Sequence, residues 1–210
     1  MASTTRRPSS GVDRRAEVEQ KVARGVAELL AEGATFTELG VERLAGAAGI
    51  SRSTFYLYFR DKSDLLQRLG AAMVADVYSD GRGWEPDGPD GGLVGLTQAY
   101  VAYLRHYRAQ RALFAAIVET AAYDAGLRTW WSGQRDRFLD VVRAQLLAEQ
   151  AAGRTAGDLD VDRTADVVVR GGFQVLQEQV INGGEATDVA VARELAATHW
   201  YGAYRRSATR

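Results

Sequence analysis

Along most of this chain apolar residues recur every three or four positions, the spacing of helices with one buried face. From Arg14 onward Val18, Val22, Val26, Leu29 and Leu30 share such a face, and Gly33 stands where a C-terminal cap belongs. A connector over 34–39 leads to a short helix rich in small residues, Val41 to Ala48. Gly49-Ile50 makes a turn, and Ser51 is placed to cap a third helix running through Phe59. Asp61-Lys62-Ser63-Asp64 opens a longer helix to about Tyr78. The Gly- and Pro-rich run from Gly81 to Gly92 is the clearest loop. Beyond it the periodicity predicts helices near 93–108, 110–120, 123–150, 161–182 and 187–205. No stretch shows strand-like alternation bounded by turns, so the expected fold class is all-α.

Composition narrows the chemistry. The 210 residues contain no cysteine and two histidines, His106 and His199, so disulfides, thiolate metal sites and a histidine cluster are not expected. No apolar run approaches the ~20 residues of a membrane span, and residues 1–13 read as a flexible polar tail without a signal-peptide core, so a cytoplasmic location is expected. Formal net charge is −1, which argues against coating nucleic acid by bulk electrostatics. Any basic surface must be local. The candidates are Arg6 and Arg7 in the tail, Arg14 and Arg15 just after it, and the helix after Ser51.

The segment from Gly40 to Phe59 has the requirements of a helix-turn-helix. Ala45, Ala47 and Ala48 allow close crossing, and Gly49 permits a sharp reversal. Phe55 and Phe59 lie four apart and face inward with Ile50 and Leu44. The opposite face carries Arg52, Ser53 and Tyr56, flanked by Leu57 and Tyr58. Arginine can bond guanine bidentately and hydroxyls can reach phosphates, so this face suits a major groove. The same pattern also occurs in helical proteins that bind no DNA.

The wording Gly49-Ile50-Ser51-Arg52-Ser53-Thr54-Phe55-Tyr56-Leu57-Tyr58-Phe59-Arg60-Asp61-Lys62 closely resembles the signature of the TetR family of transcriptional regulators. The resemblance is specific over 14–66 and architectural beyond. It implies a three-helix DNA-binding domain over 14–60 and a ligand-binding and dimerisation domain over 61–210. It further implies that Arg52, Ser53, Thr54, Tyr56 and Leu57 face bases and adjacent backbone, that Ser51 belongs to the same surface, and that Tyr58 and Lys62 are phosphate clamps. Gly40 departs from the Ser or Thr often found at that helix start, and Glu42 sits where a basic residue would serve better.

The C-terminal half has no phosphate-binding glycine loop, metal-ligand spacing or nucleophile elbow. No catalytic residue, metal or cofactor is expected. It has aromatic stripes instead. Leu96, Tyr100, Tyr103, Leu104 and Tyr107 form one, and Leu127, Trp131, Phe138, Val142 and Leu146 another, with Trp130 beside it and Gln134 inserted. Phe114 and Ile117 can close one side, Phe173 and Gln177 another. On the residues alone a packed core and an elongated cavity both stand. The resemblance implies the cavity, lined by Tyr100, Tyr103, Leu104, Tyr107, Phe114, Ile117, Trp130, Trp131, Gln134, Phe138, Phe173 and Gln177, for an apolar or amphipathic effector. The layout, with Trp131-Ser132 and His199-Trp200, loosely resembles the ethionamide-resistance repressor subgroup.

The last two helices either cap the protomer's own core or, as the resemblance implies, form the homodimer surface through Val168, Gly172, Val175, Leu176, Ala192, Leu195, Ala196 and His199. The function implied is a repressor that leaves a near-palindromic double-stranded operator when effector binds. The alternative is a helical-bundle enzyme or small-molecule sequestration protein with a degenerate DNA-binding domain, and a TetR-like activator is equally compatible with these residues.

Overall fold

The computed structural model describes residues 11–79 and 84–208, and all regular structure among them is helical. Helix α1 (Gly11–Ala31) ends at Gly33, whose φ of 89° is the left-handed conformation a side chain would strain. The connector contains a short 3-10 turn (Phe36–Glu38) before α2 (Val41–Ala47), α3 (Arg52–Tyr58) and the longer α4 (Lys62–Ser79). Then follow α5 (Gly92–Ala109), α6 (Arg111–Tyr123), α7 (Ala125–Ala151), α8 (Val161–Ile181) and α9 (Asp188–His199), the last continuing as a π turn (Trp200–Tyr204).

Two expectations shift. Residues 11–13 belong to α1 rather than to a flexible tail, and the rest of that tail, with Arg6 and Arg7, lies outside the described residues. The break expected at Tyr123 falls one residue later. Asp124 causes it, because its carboxylate caps α7 by accepting the Leu127 N–H at 2.7 Å.

The apolar face of α1 is the seed of the core. Val22 and Val26 are sealed against Leu44, Phe55 and Phe59, and the same core continues through Leu65, Leu66 and Met73 of α4 into Leu104, Phe114, Ile117 and Leu127. At Gly25 the α1 and α2 backbones meet: an added Cβ would lie 2.8 Å from the Ala47 carbonyl carbon. A second cluster joins the far ends of α7 and α8 to the C-terminal turn through Val142, Leu146, Val168, Val169 and Tyr204.

The 84–91 connector is tied down. Trp84 donates its indole N–H to Gly92 O at 3.1 Å, and its ring lies edge-on to Tyr204 at 4.8 Å. Beneath it, Glu149 is buried and accepts from Arg154 at 2.8 Å and from Arg205. Breaking such a buried pair by removing one partner is costly, since it strands the other charge. No described helix is long and apolar enough to cross a membrane.

Candidate functional site

The turn before α3 is built by Gly49, at φ 66°. Ser51 caps the helix by accepting the Thr54 N–H at 3.0 Å, and its hydroxyl also lies 2.8 Å from those of Ser53 and Thr54. Ser51 and Thr54 therefore hold the helix start together. Phe55 and Phe59 are fully buried with ring centroids 5.1 Å apart. That anchorage turns Arg52, Ser53, Tyr56 and Leu57 to solvent. Leu57 is 80% exposed and Tyr56 47%, and the Arg52 guanidinium lies 5.8 Å from the Tyr56 ring centre. Tyr58 is half-buried.

Lys62 departs from the role implied for it. Its ammonium donates to the carbonyls of Leu39 (2.7 Å), Thr37 (2.9 Å) and Phe36 (3.2 Å). An ammonium has three N–H donors, and all are used inside the protein. Lys62 is a staple that fastens the connector before α2 to the start of α4, not a free phosphate clamp.

The aromatic residues of the C-terminal half converge as the stripes suggested. Ring centroids follow one another from Tyr103 to Tyr107 (4.4 Å), Tyr107 to Phe114 (4.8 Å), Phe114 to Trp131 (5.7 Å) and Trp131 to Phe173 (5.5 Å), with Trp130 5.8 Å from Trp131. Leu104 and Ile117 are sealed beneath them. The rings pack on one another, so they themselves fill the space between the stripes. Gln134, expected to face inward for a ligand, donates to Trp130 O of its own helix at 3.2 Å. Phe138 lies on the outer side, 42% exposed, and Gln177 is half-buried one turn beyond Phe173. Tyr100 leaves the chain of rings and hydrogen-bonds His199 Nδ1 instead. Burial pushes the His199 imidazole down to about 4 and the Tyr100 phenol upward.

This cluster touches the N-terminal helices through α4. Trp130 and Ile117 flank Gly70, while Ser63 of α4 donates to Asp124 at 2.6 Å and His106 of α5 bonds the Met73 carbonyl at 2.8 Å. The Asp124 carboxyl is held below its usual range, first by the Leu127 N–H and then by the Ser63 hydroxyl. Sequence reasoning missed Gly70 altogether.

Residues 27–69 match the family profile described as bacterial regulatory proteins, tetR family. The HTH-type transcriptional regulator EthR of Mycolicibacterium smegmatis is 27% identical over 159 residues, covering 72% of this chain and 71% of that one. The N-terminal part of this chain is similar to the tetR family of bacterial regulatory proteins. The chain's fold is that of solved TetR-type structures. FadR of Bacillus subtilis, in complex with stearoyl-CoA, superposes with a TM-score of 0.67 at 18% identity over 87% of this chain and 98% of that one. Salmonella enterica GusR gives 0.66 at 18% identity over 87% and 95%.

The residues expected at the dimer surface mostly face the protomer's own interior. Val168, Gly172, Leu176, Ala192, Leu195, Ala196 and His199 are buried within the protomer. Gly172 receives the imidazole of His199, whose Cε1 would lie 2.8 Å from an added Cβ. Of the expected set, Val175 faces solvent. The outward row of α8 is Val167, Gly171 and Val175, beside Thr198, Tyr201 and Gly202 at the chain's end. Val167 is 71% exposed and Tyr201 62%. The expectation chose the more continuous apolar stripe, and that stripe serves the protomer's own core.

Proposed function

We propose that this chain is a TetR-family repressor that binds a near-palindromic operator as a homodimer and is released by a small apolar or amphipathic effector. The observation that carries the reading is the joint at α4. A helix bearing Arg52, Ser53, Tyr56 and Leu57 outward is connected by one continuous helix to the ring cluster, and Trp130 of that cluster lies against Gly70. Residues 14–60 act as the DNA-binding head and 61–210 as the sensing and dimerising body. Two heads about 34–36 Å apart meet successive major-groove faces. An effector that enters between the rings of α5, α6, α7 and α8 must part them, which displaces α4 and takes the heads out of register. It shifts the equilibrium only by its differential affinity for the two states. The outward row of α8 with the end of α9 is the dimer face in this reading. A protein with the same fold, FadR of Bacillus subtilis, is known in complex with stearoyl-CoA, an amphipathic ligand, which supports an effector of that class.

Selection of bound duplexes from sheared genomic DNA tests the reading. Enrichment of an inverted repeat whose binding by the Arg52→Ala protein falls about 5- to 100-fold, with relaxed preference at one base pair, is expected. Failure of any sequence to enrich above bulk DNA would overturn it.

A further inference from the structure

We infer that the effector is an anion on an apolar body, and that Arg135 reads its charge. The inference rests on the effector reading above and adds a chemical class to it.

Arg135 stands on α7 four residues after Trp131 and seven before Val142, so it shares the inward stripe of that helix with both. Its side chain is half-buried, and its Nε is shielded from solvent with no hydrogen-bond partner among the described residues. Three other arginines, Arg128, Arg143 and Arg170, are committed elsewhere. Arg128 donates to Ala122 O at 3.0 Å, Arg143 to Asp162 at 2.7 Å, and Arg170 to Asp166 at 2.5 Å. A shielded guanidinium N–H without an acceptor is unusual in a folded protein, and its desolvation goes uncompensated.

The position explains what could compensate it. Trp131 belongs to the larger apolar cluster and Val142 to the smaller, so Arg135 lies in the interval between them along α7. On α8, which runs antiparallel to α7, the interval between Phe173 and Val169 holds Arg170, Gly171 and Gly172, of which Gly171 is exposed and Gly172 is taken up by His199. A cation thus stands one helical turn from Trp131, whose indole meets Phe173 at the end of the ring cluster. Guanidinium prefers carboxylates and phosphates through paired N–H donors, while the rings of Trp131 and Phe173 prefer an alkyl or aryl body. Together they select an amphipathic anion over a neutral or cationic molecule of the same shape.

Intrinsic tryptophan fluorescence and native mass spectrometry with dodecanoate, 1-dodecanol, 2-naphthoate and 2-naphthol separate the terms. At least one acid is expected to bind the full-length protein about ten- to a hundredfold more tightly than its matching alcohol. Arg135→Gln is expected to abolish that preference while leaving alcohol binding within about twofold, and Arg135→Lys to keep part of it, with melting curves confirming that both variants fold. Equal affinity for acid and alcohol, survival of the preference in Arg135→Gln, or binding of none of the four would overturn the inference. Release of the selected duplex by the alcohols alone would overturn it while leaving the effector reading intact. An effector reading that fails would instead show ligand binding with no change in duplex affinity.

Discussion

Trp130 of α7 lies against Gly70 of α4 so closely that a methyl group at Gly70 would come within 2.6 Å of the indole Cη2 and 2.8 Å of Ile117 Cδ1. The glycine is therefore a spatial requirement in mid-helix, where its lack of a Cβ is otherwise a liability. Alanine would gain about 1 kcal/mol of helix propensity, but overpacking a filled core costs about 1–3 kcal/mol. Gly70→Ala is expected to lower the melting temperature by a few degrees and to change duplex affinity by moving α4. Trp130→Phe, which shortens the ring, is expected to offset the defect. A double-mutant cycle with coupling below about 0.5 kcal/mol would show that the two residues act independently.

Lys62 and Arg52 should respond differently to salt. Lys62→Ala loses three internal hydrogen bonds from a charged donor, a loss of about 1–3 kcal/mol in urea unfolding. Because its ammonium is already satisfied by Phe36, Thr37 and Leu39, the salt slope of duplex binding is expected to stay unchanged. Loss of a phosphate contact would instead reduce that slope by about 0.9, and observing such a drop would restore the clamp role.

Association should depend on the outward row of α8. Val167→Glu and Gly171→Arg are expected to yield folded monomers by analytical ultracentrifugation, since each places a charge on the proposed dimer face. Leu195→Ala is expected to cost about 2–5 kcal/mol of stability as a core cavity without first dissociating the dimer. A Val167→Glu protein that remains a dimer would move the interface elsewhere.

His199 gives the fold a pH dependence of definite sign. Its buried imidazole stays neutral down to about 4, against an ordinary 6.5. Below 6.5 the unfolded chain takes up a proton that the native protein refuses. Stability is therefore full above that pH, falls progressively toward pH 4 by about 3 kcal/mol, and levels off below. His199→Gln, which keeps a polar partner for Tyr100, is expected to remove about one proton of linkage across this window in urea titrations. Carboxylates such as Asp124, held low by Leu127 and Ser63, titrate below the window and are common to both proteins. An unchanged slope in the variant would place the imidazole in contact with water.

What the order of residues decided by itself is local. The period of Val18, Val22 and Val26, the stop at Gly33, the turn at Gly49 and the serine at Ser51 each act within a few residues. They made α1, α3 and the exposed face of Arg52, Tyr56 and Leu57 legible, because a helix's faces follow from its own repeat. The aromatic stripes were legible for the same reason. Only tertiary packing decided what covers each face. α8 is apolar on two sides, and periodicity cannot say which side meets the protomer's own α5 and α9 and which remains open for a second copy. Lys62 likewise carries a cation whose partners, the carbonyls of a connector more than twenty residues earlier, exist only once α4 has packed beside it. Gly70 and Arg135 acquire meaning in the same way, one from an indole that leaves no room and the other from the acceptor its surroundings do not supply.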